Sequence, residues 1–465
     1  MRVDVEGKVP TSGVHRPNST KAFLPPFPQS NWQPGAAPES TWWHPPSILA
    51  FVVRQSRQQL SAPARRVLTV EQLLTSLQAD GVDYAYFPAV THYLQSIGTP
   101  TRRHYWEILK RTLSPAHLAI VQSTETENTE PFPPPQTTRF TFIDLFAGIG
   151  GFRLAFQRTG GRCVFTSEWD GPAQRTYFAN FGEIPFGDIT EIANEKRDAV
   201  EIPKHDILAG GFPCQAFSIA GFKGGFSDTR GTLFFNLARV IEGHAPKAFF
   251  LENVKGLAGH DRGRTFATIM KTLEEDLGYH VHTQIVNAKD FGVPQNRERI
   301  FIVGFKSKAA SDRFEFPRPL GRMKSIADIK ERDVVSTKYY LSDRYLETLI
   351  RHRDRHAAKG NGFGFDIKSD SDIASAIVVG GMGRERNLVV DKRLRDFSPK
   401  TNIKGPVNRQ GIRKMTPREW ARLQGFPDTF LIPVADAQAY KQFGNSVSVP
   451  AIEATIKRIV RALGL

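Results

Sequence analysis

Four side chains have the types and the setting to do chemistry. Cys214 lies in "GGFPCQAFS" at 210–218, Glu252 in "ENV", and Arg297 and Arg299 in "QNRERIF". The chain has 465 residues and two cysteines. A cysteine placed after a proline in a glycine-rich turn is therefore a nucleophile, a metal ligand or a core filler. Cys163 and Cys214 cannot form a Cys-x-x-Cys pair, which argues against a thiolate zinc site, and no metal is expected. A free cysteine is most often a small buried residue. That reading is kept for Cys163, inside the apolar run "RCVFTSEW".

Cys214 differs because it follows the strand-like run "HDILAGG", and Glu252 follows "AFFL" in the same way. In an open α/β sheet, ligands bind beyond the carboxyl ends of the strands. A thiol and a carboxyl group converging there suggest covalent chemistry with acid assistance. The two arginines could hold an electron-rich base edge and favour the thiolate. One reaction needs this set. C5 of cytosine is a poor nucleophile until a thiolate adds to C6 and an acid stabilises the charge at N3. C5 can then attack a sulfonium methyl group. The base must first leave the duplex stack.

The elements that must position these groups can be read in order. "FIDLFAGIGGFRLAF" reads as strand, glycine turn and helix, with Gly148, Gly150 and Gly151 permitting close approach to a ligand. It lacks the full G-x-G-x-x-G pattern of a pyrophosphate site, so a nucleoside without phosphate, such as S-adenosylmethionine, suits it better. Glu168, in "SEWD" about 20 residues on, is placed to accept from ribose hydroxyls. Asp188 could reach the adenine amine, with Trp169 and Ile189 on the faces of the ring. Further apolar runs, "CVFTSEW", "DILAGGF", "AFFLENV", "HTQIVNA" and "RIFIVGF", alternate with helical stretches. That alternation predicts a parallel sheet covered by helices on both faces.

The rest of the chain is less regular. Residues 1–45 are rich in Pro, Ser, Gly and Trp and read as disordered. Residues 46–122 read as a helical accessory unit carrying Arg65, Arg66, Arg102, Arg103, His104, Lys110 and Arg111, either DNA-binding or a solvated basic face. Residues 123–138 read as a linker. The α/β region spans 139–306; 307–410 is basic and glycine-punctuated with no regular alternation. At 411–465 "MTPREWARLQGF" predicts a helix capped by Thr416, and a last helix is expected over about 449–463.

Composition narrows the partners. The formal charge is +15 and the pI about 9.8, which fits a polyanionic partner or simply a basic surface. No run is apolar enough to span a bilayer, and no secretory signal is visible, so a membrane role is not expected. Two cysteines fit a reducing compartment.

These motifs together resemble the cytosine-C5 DNA methyltransferases of bacterial restriction–modification systems. The likeness covers about 140–306 and 411–460, through "DLFAGIGGFRLAF", "SEWD", "GDIT", "GGFPCQAFSIAG", "ENVKGL", "GVPQNRERIFIVGF", "RKMTPREWARLQGFP" and "YKQFGNSVSVP". The resemblance implies a Rossmann-like S-adenosylmethionine-dependent methyltransferase domain, with a smaller irregular target-recognition domain at 307–410 and an N-terminal helical extension. It implies that Phe146, Gly148, Gly150, Glu168, Trp169, Asp188, Ile189, Pro213, Leu233 and Asn445 hold S-adenosylmethionine. Cys214 would attack C6, Glu252 would contact N3 and the exocyclic amine, and Arg299 with Arg297 would hold base and phosphate. Ser218 to Arg230 resembles a loop that closes over flipped DNA, and Arg384 and Arg386 are expected as groove contacts. The partner would be double-stranded DNA, in the bacterial cytoplasm, with a monomer sufficing and a restriction endonuclease as functional counterpart.

Two enzymatic rivals fit less well. The transfer-RNA branch of this family carries Cys-Phe-Thr near its recognition segment, which this chain lacks. Methylation of exocyclic amines relies on an acidic or polar residue followed by Pro-Pro and an aromatic; "FPPFP" and "FPPPQ" do not fit and lie outside the α/β region. A DNA-binding regulator acting through the N-terminal helical unit would be a secondary role at most.

Overall fold

The computed structural model describes residues 130–183, 185–192, 202–213, 233–321, 323–360, 364–379, 383–401 and 403–465. The stretches 1–45 and 46–122, and the residues Cys214, Ser218 and Arg230, lie outside the described residues.

The α/β region begins with β1 (Phe140–Leu145), α1 (Gly151–Arg158), β2 (Gly161–Ser167), α2 (Gly171–Phe181) and the short α3 (Ile189–Ile192). It continues through β3 (Ile207–Gly210), α4 (Leu233–His244), β4 (Ala248–Val254), α5 (Arg264–Lys271), β5 (His280–Asn287), β6 (Gln295–Asn296) and β7 (Glu298–Phe305). Six strands form one sheet in the order β2-β1-β3-β4-β7-β5. Neighbours among β2, β1, β3 and β4 pair in parallel, whereas β7 runs antiparallel to both β4 and β5. The expectation of a parallel sheet thus fails at this one strand. The reason is chain length: the connection from β5 to β7 is too short for a parallel crossover with its own helix.

Side chains alternate between two apolar layers, as strand period dictates. Phe142, Ala209, Phe250 and Val303 face one layer, with Phe152 and Phe156 of α1. Ile143, Leu208, Leu251 and Ile302 face the other, with Phe234, Leu237 and Ile241 of α4. Such strands read as continuous apolar runs because both faces are covered.

The basic segment adds α6 (Lys308–Asp312), α7 (Asp343–Ala357) and the short strands β8 (Ile367–Lys368), β9 (Ala374–Ser375) and β10 (Leu388–Val390), and β11 (Ile412–Lys414) follows it. The chain closes with α8 (Pro417–Leu423), α9 (Asp436–Asn445) and α10 (Val449–Leu463). The Thr416 hydroxyl accepts from the Glu419 backbone N–H, and Glu419 answers with a reciprocal bond to the Thr416 N–H. The predicted cap and the last helix are therefore both present.

The expected linker is fastened over its second half. The Phe132 ring lies 5.9 Å from those of Phe181 and Phe430, and Gln157 Nε2 donates to the Phe132 and Pro133 carbonyls. Apolar and polar contacts together hold these residues against α1 and α2.

A buried ion network ties the basic segment to α8. The Arg413 guanidinium makes two 2.8 Å bonds to Glu419 and one of 3.2 Å to Asp391. All three side chains are essentially inaccessible. Removing one partner strands the other charge in the interior, at a cost of about 3–5 kcal/mol. Glu419→Gln is expected to lose stability on that scale in urea unfolding. A loss under about 1 kcal/mol would show that the network is not held as described.

Candidate active site

The site forms where β1, β2, β3 and β4 end. After β1 the backbone turns sharply: Phe146, Gly148 and Gly150 have φ of 62°, 57° and 85°. A left-handed phenylalanine is an unfavourable conformation that the surrounding structure must hold in place. Phe146 is held partly by packing against the second apolar layer. At Gly148 a Cβ would meet nothing within 4 Å, so the turn opens onto free space. At Gly151 a Cβ would sit 2.8 Å from Val447 and 3.0 Å from Ser446. Only glycine lets the α9–α10 turn, with Asn445 exposed beside it, lie this close to the glycine turn.

Glu168 braces the same turn. One carboxylate oxygen accepts from the Gly148 N–H and the other from the Asp170 N–H, both at 2.8 Å. Burial raises its pKa, and these two backbone bonds oppose the rise. Next to it Trp169 is 74% exposed, a large apolar ring open to solvent. Asp188 is exposed and accepts from the Thr190 N–H, while Ile189 is buried in the second layer. Phe186 joins β2 through an isolated parallel bridge to Ser167, in place of a full third strand before Asp188. Pro213 is exposed, and Leu233 packs on the second layer at the start of α4.

The open space over Gly148, the braced acid and the exposed indole together fit a nucleoside with an apolar ring and vicinal hydroxyls. Trp169→Ala is expected to weaken nucleoside binding about tenfold, the scale of one aromatic stacking contact plus its burial. Unchanged affinity in equilibrium dialysis would remove Trp169 from the pocket.

Below the turn sits Asp144, fully buried on the α1 face of β1. Its oxygens make no well-formed hydrogen bond, although the Arg153 backbone N–H lies near enough to moderate the effect of burial. Burial pushes its pKa up to about 8, so it is largely protonated at neutral pH. Arg153, buried on the same helix, is spoken for by a two-bond pair with Glu183.

Glu252 in β4 is 8% exposed, and its Oε1 lies 3.0 Å from Arg299 Nε on neighbouring β7. Its Oε2 approaches Gly211, where a Cβ would stand 3.8 Å away. Gly211 is three residues before Cys214, so the loop bearing the thiol leaves β3 beside this carboxylate. Sequence reading overlooked Asn253, whose Nδ2 donates 2.9 Å to the Phe212 carbonyl. It pins the loop just before Pro213, and its place beside Glu252 in "ENV" was the available signal.

One expected residue takes another part, while Cys163 is the buried core residue it was expected to be. Arg297 is 3% exposed and donates to the Ile377, Gly444 and Ser446 carbonyls, so it is committed to backbone and not presented to a base. Cys163 is buried, its thiol directed at the Phe165 carbonyl, and burial pushes its pKa up to about 12. A thiol so raised is inert. Arg384 and Arg386 are exposed, with the Arg384 guanidinium 5.6 Å above the Tyr440 ring. No group of three or more metal-ligating side chains occurs among the described residues, and no helix among them is long and apolar enough to cross a membrane.

Residues 140–461 match the family described as C-5 cytosine-specific DNA methylase. The chain is 65% identical over 327 residues to the type II methyltransferase M.HpaII of Haemophilus parainfluenzae, covering 70% of this chain and 90% of that protein. It is 50% identical over 339 residues to M.SsoII of Shigella sonnei (72% and 84% covered) and 41% identical over 330 residues to M.HhaI of Haemophilus parahaemolyticus (68% and 93%). Among solved structures, the fold is similar to the S. pombe Dnmt2 methyltransferase, with a TM-score of 0.52 at 18% identity, covering 70% of this chain and all of that one.

Proposed function

This chain belongs to the C-5 cytosine-specific DNA methylase family and is a DNA cytosine-5-methyltransferase of the restriction–modification type, and from that premise we propose how its residues work. The observation that carries the reading is the Glu252–Arg299 pair, standing beside the strand end that leads into Pro213 and Cys214.

S-adenosylmethionine, when bound, supplies an electrophilic sulfonium methyl group. Phe146, Gly148, Gly150, Glu168, Trp169, Asp188, Ile189, Pro213, Leu233 and Asn445 would hold it. Glu168 would accept from ribose hydroxyls, and Trp169 would cover the adenine face. The substrate is a cytosine flipped out of duplex DNA, because a stacked base keeps C6 and N3 out of reach.

Cys214, as thiolate, adds to C6. The C5=C6 π electrons shift toward C5 and the ring, and Glu252 stabilises the developing charge by hydrogen bonding and proton donation at N3. Arg299 orients Glu252 and adds positive charge at the base edge. C5 would then take the methyl group as the S–CH3 bond breaks and its electron pair stays on sulfur, leaving the neutral thioether, and a base would remove the C5 proton. The electrons of that C–H bond restore C5=C6 and expel the thiolate. Residues from Ser218 to Arg230 would close over the flipped base and exclude water.

The segment 307–410 would read the target, with Arg384 and Arg386 suited to guanine edges or phosphates. In the cell the enzyme would act as a monomer in the bacterial cytoplasm, marking DNA against a cognate endonuclease.

The test is a labelling assay. Duplex plasmid DNA incubated with the protein and methyl-tritiated S-adenosylmethionine should yield labelled 5-methylcytosine on nucleoside analysis. Label in N4-methylcytosine or N6-methyladenine, or none at all, would sink the reading.

A further inference from the structure

We propose that Arg297 is a positioning residue that couples the recognition segment to the cofactor pocket, holding Ile377 on one side and the two residues flanking Asn445 on the other. This rests on the reading above, in which 307–410 engages DNA and Asn445 closes the cofactor site.

The geometry is a three-way grip. Arg297 Nη1 donates 3.0 Å to the Ile377 carbonyl, and Nη2 donates 3.3 Å to Gly444 and 2.7 Å to Ser446. Its backbone neighbour Gln295 completes the hold: Oε1 accepts from the Ile377 N–H at 3.0 Å, and Nε2 donates 2.9 Å to the Leu423 carbonyl. Ile377 is thus gripped at both its N–H and its C=O. On the other side Gln424 Nε2 donates to the Phe443 and Ser446 carbonyls, at 2.8 and 3.1 Å.

The two sides also touch directly. β6 pairs in parallel with β9, Gln295 opposite Ala374 and Asn296 opposite Ser375. Val379 lies against Gly444, where a Cβ would come within 2.7 Å of its side chain. The chain leaving this node runs on to the exposed Arg384 and Arg386.

A guanidinium is needed here for its shape. A planar fork with five N–H donors can reach three carbonyls in different directions, and no ion pair to Arg297 occurs among the described residues. Burial lowers its pKa to about 9, with Arg299 adding repulsion and Glu252 opposing it. Any shift of 374–379 on binding DNA is transmitted to the Asn445 turn. By linkage, cofactor and DNA then strengthen each other's binding equally.

The experiment measures the dissociation constant of S-adenosylhomocysteine with and without excess duplex plasmid, using the full chain as wild type, Arg297→Gln and Arg297→Lys. The wild type should bind about fivefold or more tightly with DNA present. Arg297→Gln should lose most of that ratio, and Arg297→Lys should recover part of it. An unchanged ratio in Arg297→Gln, whatever its melting temperature, overturns the coupling, as does a wild type indifferent to DNA. Should Arg297→Gln fail to fold, Gln424→Met, which unhooks the same turn, must reduce the ratio, and an intact ratio there overturns the proposal. A wild type that leaves the plasmid unmethylated defeats the functional reading, and the coupling with it.

Discussion

Cys214→Ser is expected to lower methyl transfer by about 10³-fold or more, equivalent to ~4 kcal/mol of barrier. A serine hydroxyl is scarcely ionised near neutral pH, so the addition that activates C5 has no adequate nucleophile. The other cysteine offers no substitute: Cys163 is buried in β2 with its thiol pushed up to about 12. Cofactor and DNA affinity should stay near wild type, because the change is one atom at a group that acts in the covalent step. Single-turnover kinetics with tritiated cofactor measure the loss. A Cys214→Ser protein within tenfold of wild type would mean that C5 is activated by some other group.

Glu252→Gln is expected to lower the rate at saturation by about 10²- to 10³-fold, within the range for a positioned general acid. Glutamine keeps the shape and can still hydrogen-bond at N3, but it cannot transfer a proton. Its amide oxygen can still accept from Arg299 Nε, as Glu252 Oε1 does at 3.0 Å. The split between parameters separates a chemical role from a structural one. The Michaelis constants for DNA and cofactor should move little while the turnover number falls. A rise in the DNA constant with turnover intact would reduce Glu252 to a binding contact.

Much of this arrangement was legible from residue order. Strands buried on both faces leave long apolar runs, so "FIDLF", "DILAGG" and "AFFLENV" announced β1, β3 and β4 and the ends that carry the site. Thr416 followed by Pro417 announced the cap of α8, because a cap is a local bond between residues three apart; Glu419 as its reciprocal partner was not read. The direction of β7 was not legible, since an apolar run has no polarity; it follows from the short connection after β5.

The basic segment hid its longest helix. In α7 Leu346 and Leu349 are buried while Tyr345 and Ile350 are exposed, so the apolar stripe is too thin to stand out among arginines. The signal was at its ends: Ser342 accepts from the Tyr345 N–H, Asp343 opens the first turn, and Arg355 and His356 close the last. Arg297 was misread for a different reason. Two residues apart in "RER", Arg297 and Arg299 look alike in sequence. One reaches Glu252 across β4 and the other reaches carbonyls near residues 377 and 444–446, contacts about 80 and 150 residues away that no local pattern encodes.

The covalent step is the centre of this account, and it can be trapped. In duplex DNA whose target cytosine carries fluorine at C5, the final proton removal cannot occur, so the bond from Cys214 to C6 should persist. Incubated with S-adenosylmethionine and run on a denaturing gel, the wild-type protein should migrate as a stable protein–DNA adduct, and Cys214→Ser should not. An adduct formed equally by both proteins would contradict the assignment of the nucleophile. Turnover of the fluorinated DNA by the wild type with no adduct would contradict covalent catalysis itself.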